Sequence, residues 1–177
     1  MLWLTQSTLS RLRDQLQSRG QRPSILLPTG DVPKDVLELV SVVAEYGPLS
    51  EAMYLMMSAD STVSNEEREV LKGALRALSG DSVRGTHIES MLDQAAKNVA
   101  EQGRDRRLDE VCRELREDPA RAEVAFVLAA AIAFADNAIA DEENETLNLL
   151  ADGLGIDEAR ANELLDTVEA DLASARG

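Results

Sequence analysis

The feature that most constrains the fold of this 177-residue chain is a repeat within the chain itself. A shift of 76 residues lays Asp60 on Asp136 and brings nine identities into register across the 26 positions from 59 to 84. They are Ala59/Ala135, Asp60/Asp136, Glu66/Glu142, Glu67/Glu143, Glu69/Glu145, Leu71/Leu147, Leu78/Leu154, Asp81/Asp157 and Arg84/Arg160, and Val63 meets Ile139 as a matched apolar pair. Apolar spacing on both sides of the shared segment is helical, and no run alternates with period two for long enough to form a strand. The repeated unit therefore reads as helix-loop-helix, and its duplication predicts an all-α bundle of two similar halves packed about a pseudo-twofold axis, with repeats near 49–84 and 125–160.

An initial helix is expected over residues 2–19. A turn-rich linker follows over 20–33, with Pro23, Pro28, Gly30 and Pro33, and sets residues 1–33 apart from a helical domain over 34–177. Within that domain the periodicity predicts helices over about 34–46, 48–59, 64–78, 86–101, 106–117, 119–135, 141–154 and 157–173. Gly47-Pro48 and Asp118-Pro119 read as helix starts, because proline has the fixed φ and lacks the N–H that the first helical position can spare; Gly80 and Gly155 suit helix exits. The longest apolar run, Val124 to Ala135, is too short to cross a bilayer and is expected to be the most buried helix.

Lys and Arg number 18 against 33 Asp and Glu, a net charge of −15. A chain of this sign repels polyanions, which argues against nucleic acid, anionic membranes and oxyanion substrates. At 44% apolar residues it is too hydrophobic for a disordered acidic tail, and 3% aromatics leave little for stacking platforms. One cysteine excludes an intrachain disulfide and any CxxC site, and points to a reducing, cytoplasmic compartment. The first residues lack a basic region and their apolar run breaks at Thr5, so neither an export signal nor membrane insertion is expected.

The shared loop reads A-D-S-T-V-S-N-E-E in the first half and A-D-N-A-I-A-D-E-E in the second. It matches the latter part of an EF-hand loop, in which an aspartate and a glutamate seven residues on hold calcium. A genuine EF-hand is excluded, because the positions four and two before the aspartate hold Met56 and Ser58 in one half and Ile132 and Phe134 in the other, and the usual glycine is Ser61 or Asn137. The whole pattern resembles the TerB-like family of tellurite resistance proteins: a helix ending in A-D, a small residue, an apolar residue two further on, then E-E opening the next helix. The resemblance covers roughly residues 35–173. It implies a compact helical bundle in two related halves, resistance to tellurite and other stresses without an established reaction, and a divalent cation at Asp60, Glu67, Asp136 and Glu143.

Each of these carboxylates also has a structural reading. Ser64-x-x-Glu67 is a capping box that closes a helix start without any metal; in the second half the serine is Ala140, which loses the box and leaves Asp141 as the alternative cap. Asp60 and Asp136 lie at helix C-termini, where a carboxylate meets the negative end of the dipole, and either a cation or an Asx turn relieves it. Cys112 falls on a stripe with Leu108, Val111 and Leu115 and reads as core, as do Met53, Met56 and Met57 at helical spacing. His87, the one histidine, has no motif joining it to Ser82 or Cys112. The arginines at 104, 106, 107, 113 and 116 read as a solvated helix face paired with Glu110, Glu114 and Glu117, with a partner-docking patch as the alternative.

Two functions from different classes follow. The first is a non-enzymatic, acidic TerB-like scaffold that binds a divalent cation at its loops and docks other proteins of the same stress-resistance system. The second is a metal-assisted, di-metal hydrolase using the four loop carboxylates. Oxygen-only ligands select calcium, magnesium or manganese. Two motif carboxylates per loop, completed by water, set an affinity on the order of 10⁻⁴ M.

Overall fold

The structure is a computed structural model that describes residues 5–18, 33–59, 63–81, 83–134 and 141–176. Among the described residues it forms eight helices and no strand: α1 (Gln6–Ser18), α2 (Lys34–Met57), α3 (Asn65–Leu78), α4 (Gly85–Gln102), α5 (Arg104–Leu115), α6 (Pro119–Ala133), α7 (Asp141–Leu154) and α8 (Glu158–Arg176). The chain is all-α, as its periodicity predicts. None of the described helices is long and apolar enough to cross a membrane.

Two helices make the centre. From 124 to 133 helix α6 is wholly apolar, mostly small and aliphatic with Phe126, and each of these residues is at most 7% exposed, so neighbours approach it from all directions. It packs on α1, α2, α5, α7 and α8. Helix α2 packs on α3, α4, α5, α6 and α7, and inserts Leu49, Met53, Leu55 and Met56 into the same core. With Met57 also buried, the three methionines of α2 are core residues. Helix α1 is bound in by Leu9, Leu12 and Leu16, all buried, while Thr8 Oγ1 donates to Asp171 Oδ2 on α8 at 2.9 Å. The expected linker at 20–32 lies outside the described residues.

One expectation is overturned. Gly47-Pro48 does not start a helix; α2 runs through it as a single helix of 24 residues with Pro48 inside. Proline has no N–H, so the carbonyl of Ala44, four residues earlier, loses its helical donor, a substitution that ordinarily costs about 3 kcal/mol. The donor comes from elsewhere. Arg121, 4% exposed in the first turn of α6, points its Nη2 at the carbonyls of Ala44 and Glu45, 3.0 Å from each. Asp118 fixes the start of α6 by accepting from the backbone N–H groups of Ala120 and Arg121, with Pro119 at the first position as expected.

Helix limits beside the loops and at the ends of α3 and α7 fall 76 residues apart, while the starts of α2 and α6, at Lys34 and Pro119, do not. α2 and α6 end at Met57 and Ala133, α3 and α7 begin at Asn65 and Asp141, and both finish 76 residues apart at Leu78 and Leu154. The connections α2–α3 and α6–α7 carry the two acidic loops.

Candidate functional site

The first loop leaves α2 with its last carbonyls paired. Ser58 N–H donates to Tyr54 O at 2.9 Å and Ala59 N–H to Met56 O at 3.2 Å; the Ser58 hydroxyl donates to Leu55 O at 3.2 Å. After the loop, Val63 packs against the core and Ser64 opens α3 with extended backbone, φ −72° and ψ 166°. Ser64 Oγ accepts from Glu67 N–H at 3.2 Å, and Ser64 N–H donates to Glu67 Oε2 at 2.7 Å. The capping box is thus formed, and one oxygen of Glu67 is committed to it. Glu66 beside it is exposed.

The second loop leaves α6 at Phe134, whose N–H donates to Ala130 O at 2.9 Å. Helix α7 opens with Asp141, Glu142 and Glu143 in its first turn, where negative charge meets the positive end of the helix dipole. Glu142 is exposed and Glu143 half-buried. Asp60 and Asp136 lie outside the described residues, as do Ser61, Asn137, Ile139 and Ala140. Of the four expected ligands the structure therefore places Glu67 and Glu143, each in the first turn of the helix after its loop. Among the described residues no three His, Cys, Asp or Glu side chains gather so as to hold a metal ion. A cation site here needs the loop aspartates.

The polar contacts that sequence reading missed come from α5. Arg106 and Arg113 do lie on a solvated face, Arg106 pairing with Glu110 at 3.1 Å and Arg113 with Asp109 at 2.5 Å. Arg104 and Arg107 turn inward instead. Arg107 forms a two-pronged pair with Glu51 of α2, Nε to Oε1 at 2.7 Å and Nη2 to Oε2 at 2.9 Å, and also meets Glu110. Hydrogen bonding to Glu51 holds the Arg107 guanidinium above its ordinary range, against the opposing effect of burial. Arg104 Nη2 donates to Leu55 O on α2 at 3.1 Å and to Thr146 Oγ1 on α7 at 2.7 Å. A signal was present: Arg104 continues the Leu108, Val111, Leu115 stripe one turn back, at the spacing that marks the buried face of α5.

Cys112 sits on that stripe, where burial pushes its thiol up to about 11. At neutral pH it is a protonated core group, with little of the thiolate a nucleophile needs. A Cβ on Gly153 of α7 would fall 2.8 Å from Cys112 Cβ and Sγ, so the glycine is what lets α5 and α7 approach this closely.

No curated protein and no solved structure matches the chain. The family model for Tellurite resistance protein TerB matches residues 50–166. That span is about two thirds of the chain, from the last two turns of α2 into α8, and it includes both acidic loops. The chain belongs to the TerB family of tellurite resistance proteins.

Proposed function

We propose that this protein is a non-enzymatic, acidic helical scaffold of a tellurite or stress-resistance system, which holds a hard divalent cation weakly at Asp60, Glu67, Asp136 and Glu143 and docks other proteins of that system. The observation that carries the reading is that the family match takes in both acidic loops of a chain with net charge −15. Oxygen donors suit calcium, magnesium or manganese better than zinc or copper. With Glu67 already serving Ser64 through one oxygen, the first loop has at most one free oxygen from that residue, and water completes the shell. The affinity expected is on the order of 10⁻⁴ M. The charge disfavours nucleic acid and anionic surfaces as partners, and the single buried cysteine suits a reducing cytoplasm.

Calorimetry tests the reading. The parent should release or absorb heat with millimolar calcium, magnesium or manganese, the double variant Asp60→Asn with Asp136→Asn should lose it while its helical circular dichroism stays intact, and a phosphoester hydrolysis screen with the cation present should show no turnover. Absence of heat in the parent, or undiminished heat in the variant, reduces the loops to helix-capping devices. Turnover that disappears in the double variant assigns them to a hydrolase instead.

A further inference from the structure

Arg104 stands where its own helix does not favour it. It is the first residue of α5, directly after Gly103, whose φ of 86° turns the chain out of α4, and a cation in the first helical turn opposes the helix dipole. Two other helices supply what compensates. Its Nη2 lies 3.1 Å from the carbonyl of Leu55, one of the last four of α2, where the dipole favours positive charge, and 2.7 Å from Thr146 Oγ1 on α7. The hydroxyl of Thr146, a residue 2% exposed, in turn donates to Glu142 O at 2.8 Å. A continuous line of hydrogen bonds thus runs from Leu55, five residues before Asp60, through Arg104 and Thr146 to Glu142, the residue before Glu143.

We infer that Arg104 is a positioning residue that couples the end of α2 to the start of α7, so that order gained or lost at one helix end is felt at the other. The guanidinium can satisfy both helices only while they keep their relative position, and loosening either acceptor loosens its hold on the other. Any ligand that stabilises one of these helix ends is then linked by the same free energy to the other, since such coupling is reciprocal. For the cation this consequence rests on the function proposed above. The brace itself does not.

Hydrogen exchange on the metal-free full chain tests it. Thr146→Val removes the hydroxyl but keeps the shape, and touches α7 alone. In the parent background it should speed exchange of the Ser58 and Ala59 amides at the far side of Arg104 by about tenfold, the scale of one hydrogen bond to a charged group. In an Arg104→Met background, where those amides already exchange faster, adding Thr146→Val should change them no further. Residues 88–99 of α4 serve as the control and should keep parental rates throughout. An effect of Thr146→Val confined to α7 in both backgrounds overturns the coupling, as does a uniform rise that includes α4, which would make Arg104 a general stability residue. Because no cation is present, this outcome and that of the calorimetry are independent.

Discussion

Helices α2 and α6 each lead into an acidic loop and each fill the core, yet α2 adds to its buried Leu49, Met53, Leu55 and Met56 a set of arginine contacts from other helices, whereas residues 124–133 of α6 rest on apolar burial. Arg121 supplies the donor to Ala44 that Pro48 lacks, Arg107 clamps Glu51, and Arg104 meets Leu55, so three arginines from α5 and α6 fasten the first arm. In the second arm residues 124–133 are buried on all faces, and the polar contact from another helix falls outside that run, at Glu123 with Arg160 of α8. The loops end differently as well. Glu67 closes a reciprocal cap with Ser64, whereas Glu143 follows Ala140, which has no hydroxyl to offer. The second loop thus lacks the hydroxyl half of the box that Ser64 supplies in the first.

The contrast predicts where each arm breaks. The largest effect belongs to Ala130→Asp. Ala130 is fully buried in the last turn of α6, and an unpaired carboxylate there enters an apolar core, so a loss on the order of 4 kcal/mol or more is expected. For a chain of this size that lowers the melting temperature by about 10 °C. An unchanged melting temperature would put α6 at a surface and erase the distinction between the arms.

Arg121→Met comes next. It keeps the aliphatic stem but strips the donors from the Ala44 and Glu45 carbonyls; the expected cost is about 3 kcal/mol, the scale of hydrogen bonds to a charged group whose acceptors stay buried. The loss should be local to the first arm although the substitution lies in α6. Hydrogen exchange would read it as faster amides around Pro48 with the last turns of α6 unaffected, and equal loosening of both arms would count against the brace.

What the sequence revealed and what it hid divide along the same line. The span of α7, the start of α6 at Pro119, the buried stripe of α5 and the Ser64–Glu67 cap all rest on neighbours a few residues apart, and each was readable from spacing. The continuity of α2 through Pro48 rests on Arg121, far along the chain, and local rules rightly mark Gly47-Pro48 as a break when no such donor is known. The inward turn of Arg104 and Arg107 was hidden by composition: five arginines among acidic residues read as a wet face, and only Arg104's place on the stripe argues otherwise. Of the four site residues, spacing identified Glu67 and Glu143 as openers of the helices after the loops, and the structure places both there.

A smaller effect tests the polar strap of the second arm. Glu123 of α6 takes two hydrogen bonds from Arg160 of α8, at 2.7 and 2.9 Å, and this holds its carboxyl below the ordinary carboxylate range, with burial opposing. A carboxylate whose pKa is lower in the folded than in the unfolded chain contributes stability above its unfolded pKa, here near 4.5, and that contribution disappears as pH falls through the folded value. Glu123→Gln should cost up to about 1 kcal/mol at pH 7, the pair being partly exposed. The gap to the parent should close as pH drops from 5 to 3. A gap that persists at pH 3 would show the loss to be one of packing.

The finest distinction between the arms is a single hydroxyl. Ser64→Ala removes the acceptor for Glu67 N–H and should cost about 1 kcal/mol, or about 2–4 °C in melting temperature. Ala140 holds the place of Ser64 in the repeat register, three residues before Glu143. If the second loop opens α7 as the first opens α3, Ala140→Ser restores the S-x-x-E box and should raise the melting temperature by a similar amount. If Asp141 caps α7 instead, the new hydroxyl finds no N–H to accept from, and the substitution is neutral or slightly harmful. The two substitutions measured together thus decide whether the 76-residue repeat is one of geometry or of residue pattern only, because a geometric repeat requires the added serine to gain what the lost serine gives up.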